Sequence, residues 1–116
     1  MATHIPMRLT VKGDIQAGAT LQATLAIGHP MESGFRTLES GQRVPQNVIE
    51  RITASLGHER LFTMETSIGL SAHPYMVFPV TLPAVIPSAG FNLTIQWQDD
   101  LGQSGEISRE LVQPMH

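Results

Sequence analysis

The clearest structural signal in this chain is the segment FNLTIQWQ, residues 91–98, in which apolar and polar side chains alternate without a break. Phe91, Leu93, Ile95 and Trp97 point to one face of an extended strand, and the polar residues between them point to the other. Burial of each of these four apolar side chains contributes roughly 1.5–3 kcal/mol before conformational entropy is counted. We therefore expect this strand to lie at the centre of an all-β core.

Alternation with a period of two also dominates the rest of the chain, and no helical period of useful length occurs. It predicts six further strands, at residues 7–11, 21–27, 48–56, 60–64, 75–82 and 106–111. Gly57-His58-Glu59 and Asp99-Asp100-Leu101-Gly102 are typical of tight hairpin turns. Pro79 cannot donate a ladder hydrogen bond, so its strand is expected to lie at a sheet edge or to be bulged. Seven short strands with one apolar face each predict an immunoglobulin-like antiparallel β-sandwich.

Length, charge and cysteine content limit the possible functions. The 116 residues fit a single domain, residues 1–116. A formal net charge of -3, with the basic residues scattered, argues against nucleic acid or an anionic membrane as a partner. The chain has no cysteine, which excludes disulfides, thiolate metal sites and a cysteine nucleophile. Neither a signal peptide nor an apolar stretch near the ~20 residues of a membrane span is recognisable.

The segment HPMESGFR, residues 29–36, is the candidate functional stretch. It follows a predicted strand directly and places an imidazole, a thioether, a carboxylate and a guanidinium in one predicted loop. Such a concentration of reactive side chains is unusual in a loop that only connects two strands. The irregular region extends to residue 47, with a small hairpin expected at Glu39-Ser40-Gly41, and its length also favours a function. Catalysis, ligand binding and protein binding are the possible roles.

The sequence gives little support for catalysis. No serine lies in a Gly-x-Ser-x-Gly context, and no residue is marked as its base. Asp99 and Asp100 could form a pair of carboxylates, but beside Gly102 they more simply provide turn geometry and solvation. We therefore expect no enzymatic activity and no cofactor.

A metal site is the alternative interpretation. His29 and Met31, with His73 or Met76, would offer imidazole and thioether ligands suited to Cu(I) in a periplasmic copper-binding or carrier domain. Against this, methionines on strands usually fill gaps in the core, and the spacing follows no known ligand pattern. Packing in the core or exposure to solvent is the better explanation of these side chains, and no metal is expected.

Residues 29–36 resemble the His-Pro-Met-Glu-Thr-Gly-x-Arg signature of SoxZ proteins, which belong to the sulfur-oxidation system that oxidises thiosulfate. The resemblance continues at Val44-Pro45 and Val48-Ile49, and then at Ala72-His73-Pro74-Tyr75, where the family usually has Ala-Asn-Pro-Tyr. It closes at residues 97–102, WQDDLG, which are similar to the family's Trp-Thr-Asp-Asp-x-Gly. These matches span nearly the whole chain in order. The departures are His73 and an extension at residues 113–116.

The resemblance implies a non-catalytic immunoglobulin-like subunit that pairs with SoxY. In that family SoxY carries covalent sulfur intermediates on a C-terminal cysteine arm, and the pair reaches the periplasm through the export signal of SoxY. It also implies transient contacts with periplasmic sulfur-oxidation enzymes, and the surface meant for SoxY could pair with itself when SoxY is absent. The residues expected to contact a partner are His29, Met31, Glu32, Phe35, Arg36 and Tyr75.

Overall fold

The computed structural model describes residues 5–66, 74–87 and 90–112. These residues form seven strands: β1 (Met7–Lys12), β2 (Thr20–Ile27), β3 (Ile49–Leu56), β4 (Glu59–Glu65), β5 (Tyr75–Thr81), β6 (Phe91–Asp99) and β7 (Ser104–Leu111). The described residues include no helix that could cross a membrane. The expected seven strands are therefore confirmed, with bounds within a few residues of the prediction.

The strands are arranged in two antiparallel sheets, consistent with the expected immunoglobulin-like sandwich. One sheet has the order β1-β2-β5, and the other has the order β4-β3-β6-β7. The prediction did not extend to this order. Strand β4 lies beside β3 and widens the sheet that contains β3, β6 and β7. Variable-type immunoglobulin domains likewise have additional strands on one of their two sheets.

Strand β6 lies at the centre of the core, as its alternation predicts. It pairs with β3 on one side and β7 on the other. Leu93 and Ile95 are fully buried and Trp97 nearly so, whereas Phe91 at the rim is half-buried. The facing sheet contributes its own buried row from β2: Leu21, Ala23, Leu25 and Ile27.

Trp97 closes the side of the sandwich where β1 and β7 meet. Its indole N–H donates to Sδ of Met7 at 3.2 Å, which ties the indole to the first strand. Gly105 of β7 pairs with Trp97, and a Cβ at position 105 would lie 2.3 Å from the indole nitrogen. Only glycine fits there without a shift of the ring or of the strand.

Strand β5 is an edge strand, and this explains how it accommodates a proline. The N–H of Ile27 donates to the carbonyl of Pro74 at 3.0 Å, and the N–H of Leu82 donates to the carbonyl of Ala19 at 2.8 Å. Because hydrogen-bonded pairs alternate along an antiparallel ladder, even-numbered residues of β5 bond to β2 and odd-numbered residues face the open edge. Pro79, which lacks an N–H, therefore faces the open edge, and its expected edge position is confirmed.

We predict that Gly105→Ala destabilises the fold by about 1–3 kcal/mol, because the added methyl group overpacks against Trp97. Ser104→Ala, at the exposed neighbouring position of the same strand, is the matched control. Urea unfolding followed by tryptophan fluorescence measures both. An unfolding midpoint for Gly105→Ala equal to that of Ser104→Ala would contradict this packing.

Candidate functional site

The candidate segment begins with a histidine that is completely buried. Nε2 of His29 lies 3.0 Å from Oδ2 of Asp99, and neither side chain is exposed to solvent. The backbone N–H of Met31 donates to Nδ1 of His29 at 3.0 Å. Since Nδ1 accepts this bond, the ring is neutral and its proton sits on Nε2, where it is donated to the carboxylate. This His29–Asp99 pair joins the end of β2 in one sheet to the end of β6 in the other.

The carboxylate of Asp99 accepts four hydrogen bonds. Oδ1 accepts the backbone N–H groups of Leu101 and Gln103, at 3.0 and 2.8 Å. Oδ2 accepts His29 Nε2 and the side-chain amide of Gln103, at 3.0 and 3.1 Å. The expected role in the β6–β7 turn is confirmed, but the expected solvation is wrong for Asp99, which is 1% exposed. Its burial is tolerated because donors occupy both oxygens.

Asp100 holds the residues that lead into β3. Its Oδ1 accepts the N–H of Val48 and its Oδ2 accepts the side-chain amide of Gln46, both at 2.9 Å. The N–H of Asp100 donates in return to the carbonyl of Val48 at 3.0 Å. Gln46 also packs closely against Gly34, where an added Cβ would lie 3.2 Å from the Cβ of Gln46. The β6–β7 turn thus fixes both the candidate segment and the segment that returns from it.

Met31 is a buried support of the loop. It has a φ of 51°, a left-handed conformation that costs a non-glycine residue of order 1–3 kcal/mol unless contacts hold it. Its N–H donates to His29, and its Sδ accepts the N–H of Ile49 at 3.3 Å. Both His29 and Met31 were expected to contact a partner. Both side chains are buried and hold the loop in this chain, and their contact with a partner stays a prediction.

Residues 32–47 form an irregular two-stranded extension, which we call the arm. Glu32 and Asn47 exchange two backbone hydrogen bonds of 2.8 Å at its base. Thr37 and Arg43 form a second bridge nearer the tip. The N–H of Leu38 then donates to the carbonyl of Gln42 at 2.8 Å, which confirms the small hairpin expected at residues 39–41.

Phe35 and Arg36 are among the exposed residues of the arm. Arg36 is bidentate to Glu32, with nitrogen–oxygen distances of 3.1 and 2.5 Å. Hydrogen bonding to the guanidinium lowers the pKa of the Glu32 carboxyl, and the same contact raises the pKa of Arg36. Phe35 is 71% exposed, which is unusual for a phenylalanine.

Leu101 of the β6–β7 turn lies at the same end of the sandwich as Phe35. Phe35 directly follows Gly34, and Leu101 directly follows Asp100, and Gly34 and Asp100 both contact Gln46. Leu101 is 60% exposed. We call Phe35, Arg36 and Leu101 the end surface.

The remaining candidate residues that the structure describes, Tyr75 and Met76, lie on β5 rather than on the arm or the β6–β7 turn. Tyr75 starts β5 at the open edge and is 69% exposed, and its register partner is Ala26. Met76, on the same strand, is half-buried, and His73 lies outside the described residues. Both nitrogens of His29 and the sulfur of Met31 already accept or donate hydrogen bonds, so a metal ion would have to displace these contacts.

A family model described as "Sulphur oxidation protein SoxZ" matches residues 7–110. The chain belongs to the SoxZ family. The match runs from the first residue of β1 to the penultimate residue of β7 and includes every element of the site in this SoxZ chain.

Two further comparisons place the SoxZ chain among other proteins. No curated protein sequence matches it significantly. Among solved structures, it is similar to a superoxide reductase (neelaredoxin) from Ignicoccus hospitalis, with a TM-score of 0.65. The sequences are 16% identical over 93% of this chain and 79% of the other. At this identity the likeness concerns the fold alone.

Sequence reasoning missed the polar residues that hold the SoxZ loop in place. Asp99 was read as a solvated turn residue, and Gln46 and Gln103 were not singled out. The only available signal was the adjacency of Asp99 and Asp100 to Gly102 within a stretch that resembles the family. That signal locates a turn but does not identify its hydrogen-bond partners.

We predict that Asp99→Asn destabilises SoxZ by about 1–3 kcal/mol, because an amide cannot accept all four of the hydrogen bonds that end on the carboxylate. Its NH₂ group would face the N–H of His29, whose ring cannot change tautomer without losing the bond from Met31. Asp14→Asn, at an exposed turn, is the control. Thermal unfolding of the two variants measures the difference, and equal stability would count against the pair as a structural junction.

Proposed function

We propose that this SoxZ chain is the non-catalytic subunit of a periplasmic sulfur-carrier heterodimer with a SoxY protein. In this heterodimer the C-terminal cysteine arm of SoxY carries the covalent sulfur intermediates of thiosulfate oxidation. Membership of the SoxZ family supports a place in the sulfur-oxidation system. One structural observation supports the role of a subunit that binds a partner. That observation is a strongly exposed phenylalanine, Phe35, on an arm whose base is held by buried hydrogen bonds.

The rigidity of the support is what makes Phe35 suitable for recognition. A large apolar side chain in water gains free energy when a partner covers it, and aromatic residues often dominate the energy of an interface. A flexible loop would lose much of that gain to ordering. Here the base of the arm is already ordered by Met31, Asp99 and Asp100. Leu101 is a second exposed apolar side chain at this end of the sandwich.

Arg36 adds a charged group at the rim of the same surface. Its side chain is 59% exposed, and the bonds of its guanidinium to Glu32 use only part of the five N–H donors. The remaining donors are available to a carboxylate or backbone carbonyl of SoxY. The ion pair with Glu32 holds the side chain in one direction, which reduces the entropy lost on binding.

The chemistry of the buried pair also supports a non-catalytic role. A histidine beside a carboxylate could in principle activate a nucleophile. In this chain Nδ1 of His29 is occupied by the N–H of Met31 and the ring is fully buried, so it has no free nitrogen to accept a substrate proton. The chain also contains no cysteine that could hold sulfur covalently. In the proposed heterodimer the thiol comes from SoxY.

We predict that Phe35→Ser weakens the 1:1 complex with the SoxY protein of the same organism by about tenfold or more, as expected for an anchor residue. Val85→Ser is the matched control, since Val85 is 78% exposed and follows β5 at the opposite end of the sandwich. Calorimetric titration measures both affinities. Separate migration of the unmodified chains at micromolar concentration in gel filtration would refute the heterodimer. Equal affinities of the two variants would refute only the end surface.

We also predict that Arg36→Glu weakens SoxY binding or the docking of periplasmic sulfur-oxidation enzymes, and slows association more than it speeds dissociation. The reversed charge would lie beside Glu32 and repel it. Arg109→Glu, exposed on β7, makes the same change of net charge away from the arm. Association rates at two salt concentrations separate a local effect from one of total charge. Identical rates for the two variants with every partner would contradict a role for Arg36.

A further inference from the structure

Strand β5 differs from the other strands that end a sheet. Edge strands are usually protected from pairing with another chain by charged side chains, by proline or by bulges. Strand β5, with the sequence YMVFPVT, carries no charged side chain. The other three edge strands all carry charges: Arg8 and Lys12 on β1; Glu59, Arg60 and Glu65 on β4; and Glu106, Arg109 and Glu110 on β7. Pro79 blocks only one position of this edge, and no charge prevents pairing at the others.

The open edge of β5 offers backbone groups in a regular pattern. The odd-numbered residues face away from β2, so the N–H groups of Tyr75, Val77 and Thr81 point outward, as do the carbonyls of these residues and of Pro79. No other strand of the described residues pairs with them. The side chains of Tyr75 and Val77 are 69% and 49% exposed on the outer face.

We propose that β5 pairs antiparallel with β5 of a second copy of this chain, around a two-fold axis at Phe78. The two three-stranded sheets then form one continuous six-stranded sheet. The resulting homodimer is independent of the heterodimer with SoxY and uses an edge of the sandwich rather than the end surface.

The strand is complementary to itself in this register. With the axis at Phe78, the seven residues of β5 overlap fully, so Tyr75 lies opposite Thr81 of the second copy and Val77 lies opposite Pro79. The three outward N–H groups of each copy all meet carbonyls, at residues 81, 79 and 75 of the other copy. Only the carbonyl of Val77 lacks a donor, because it faces Pro79. No like charges meet, since the strand has none.

The same strand also favours a second copy over an unrelated partner strand. The one position that cannot donate, Pro79, falls opposite Val77, a small side chain that can pack on the proline ring without needing that bond. A two-fold axis uses the same surface on both chains, as most homodimers do. Phe78 lies on the axis, and its half-exposed ring would be covered by the second copy. Within one copy this ring packs edge-on against Phe62, with ring centroids 5.1 Å apart.

Sedimentation equilibrium of the full chain alone tests the homodimer. We expect a dimer at concentrations of tens to hundreds of micromolar for the unmodified chain, and a dissociation constant at least tenfold higher for Val77→Lys, since a charge at this edge blocks pairing. Thr10→Lys, exposed on the outer face of β1, makes the same change of charge and should leave the dimer intact. A monomeric unmodified chain, or equal weakening by both variants, would overturn the proposal.

Because the chain has no cysteine, engineered thiols test the register directly. Val77→Cys mixed with Pro79→Cys places two thiols on opposite residues whose Cα atoms lie about 5.5 Å apart, within the range of about 4.4–6.8 Å that a disulfide spans. We expect this mixture to form disulfide-linked dimers many times faster than Val77→Cys mixed with Val85→Cys. Equal rates would overturn the register. Since SoxY is absent from both experiments, their failure leaves the heterodimer untouched.

Discussion

The hydrogen bond between His29 and Asp99 is the constraint on which this end of the molecule depends. Both side chains are fully buried, so each must find its partner inside the protein, and loss of either would leave a polar group unpaired at a cost of about 1–3 kcal/mol. The bond joins the two sheets beside Trp97. The rings of Trp97 and His29 meet edge-on, with their centroids 5.4 Å apart. The ring of His29 in turn accepts the N–H of Met31, and the carboxylate of Asp99 accepts the N–H of Gln103 in the turn that precedes β7.

This constraint gives a physical reason why a segment rich in reactive side chains need not be an active site. Burial divides the side chains of residues 29–36 into two groups. His29 and Met31 are inside and occupied by hydrogen bonds, and they determine where the arm leaves the sandwich. Phe35 and Arg36 are outside and free to meet another protein. In the proposed heterodimer, where SoxY supplies the thiol, a fixed recognition surface on this chain matters more than a nucleophile of its own.

The sequence predicted the strands well because their information is local. Alternation at residues 91–98 located the central strand, and Pro79 marked an edge. The sequence did not predict the strand order or the geometry of the site, because both depend on contacts between residues that are distant in sequence. His29 and Asp99 are 70 positions apart, and nothing in either local pattern indicates that they meet. A polar residue in a predicted loop is normally expected to be exposed, so the burial of His29 could not be foreseen.

We expect the end surface to be ordered before any partner binds, and amide hydrogen exchange of the free chain measures this most directly. If the His29–Asp99 pair fixes this end, the N–H groups of Met31, Leu101 and Gln103 exchange nearly as slowly as those of β6, because opening them requires disruption of the buried pair. Exchange of these three amides at the rate of an exposed loop would contradict the account.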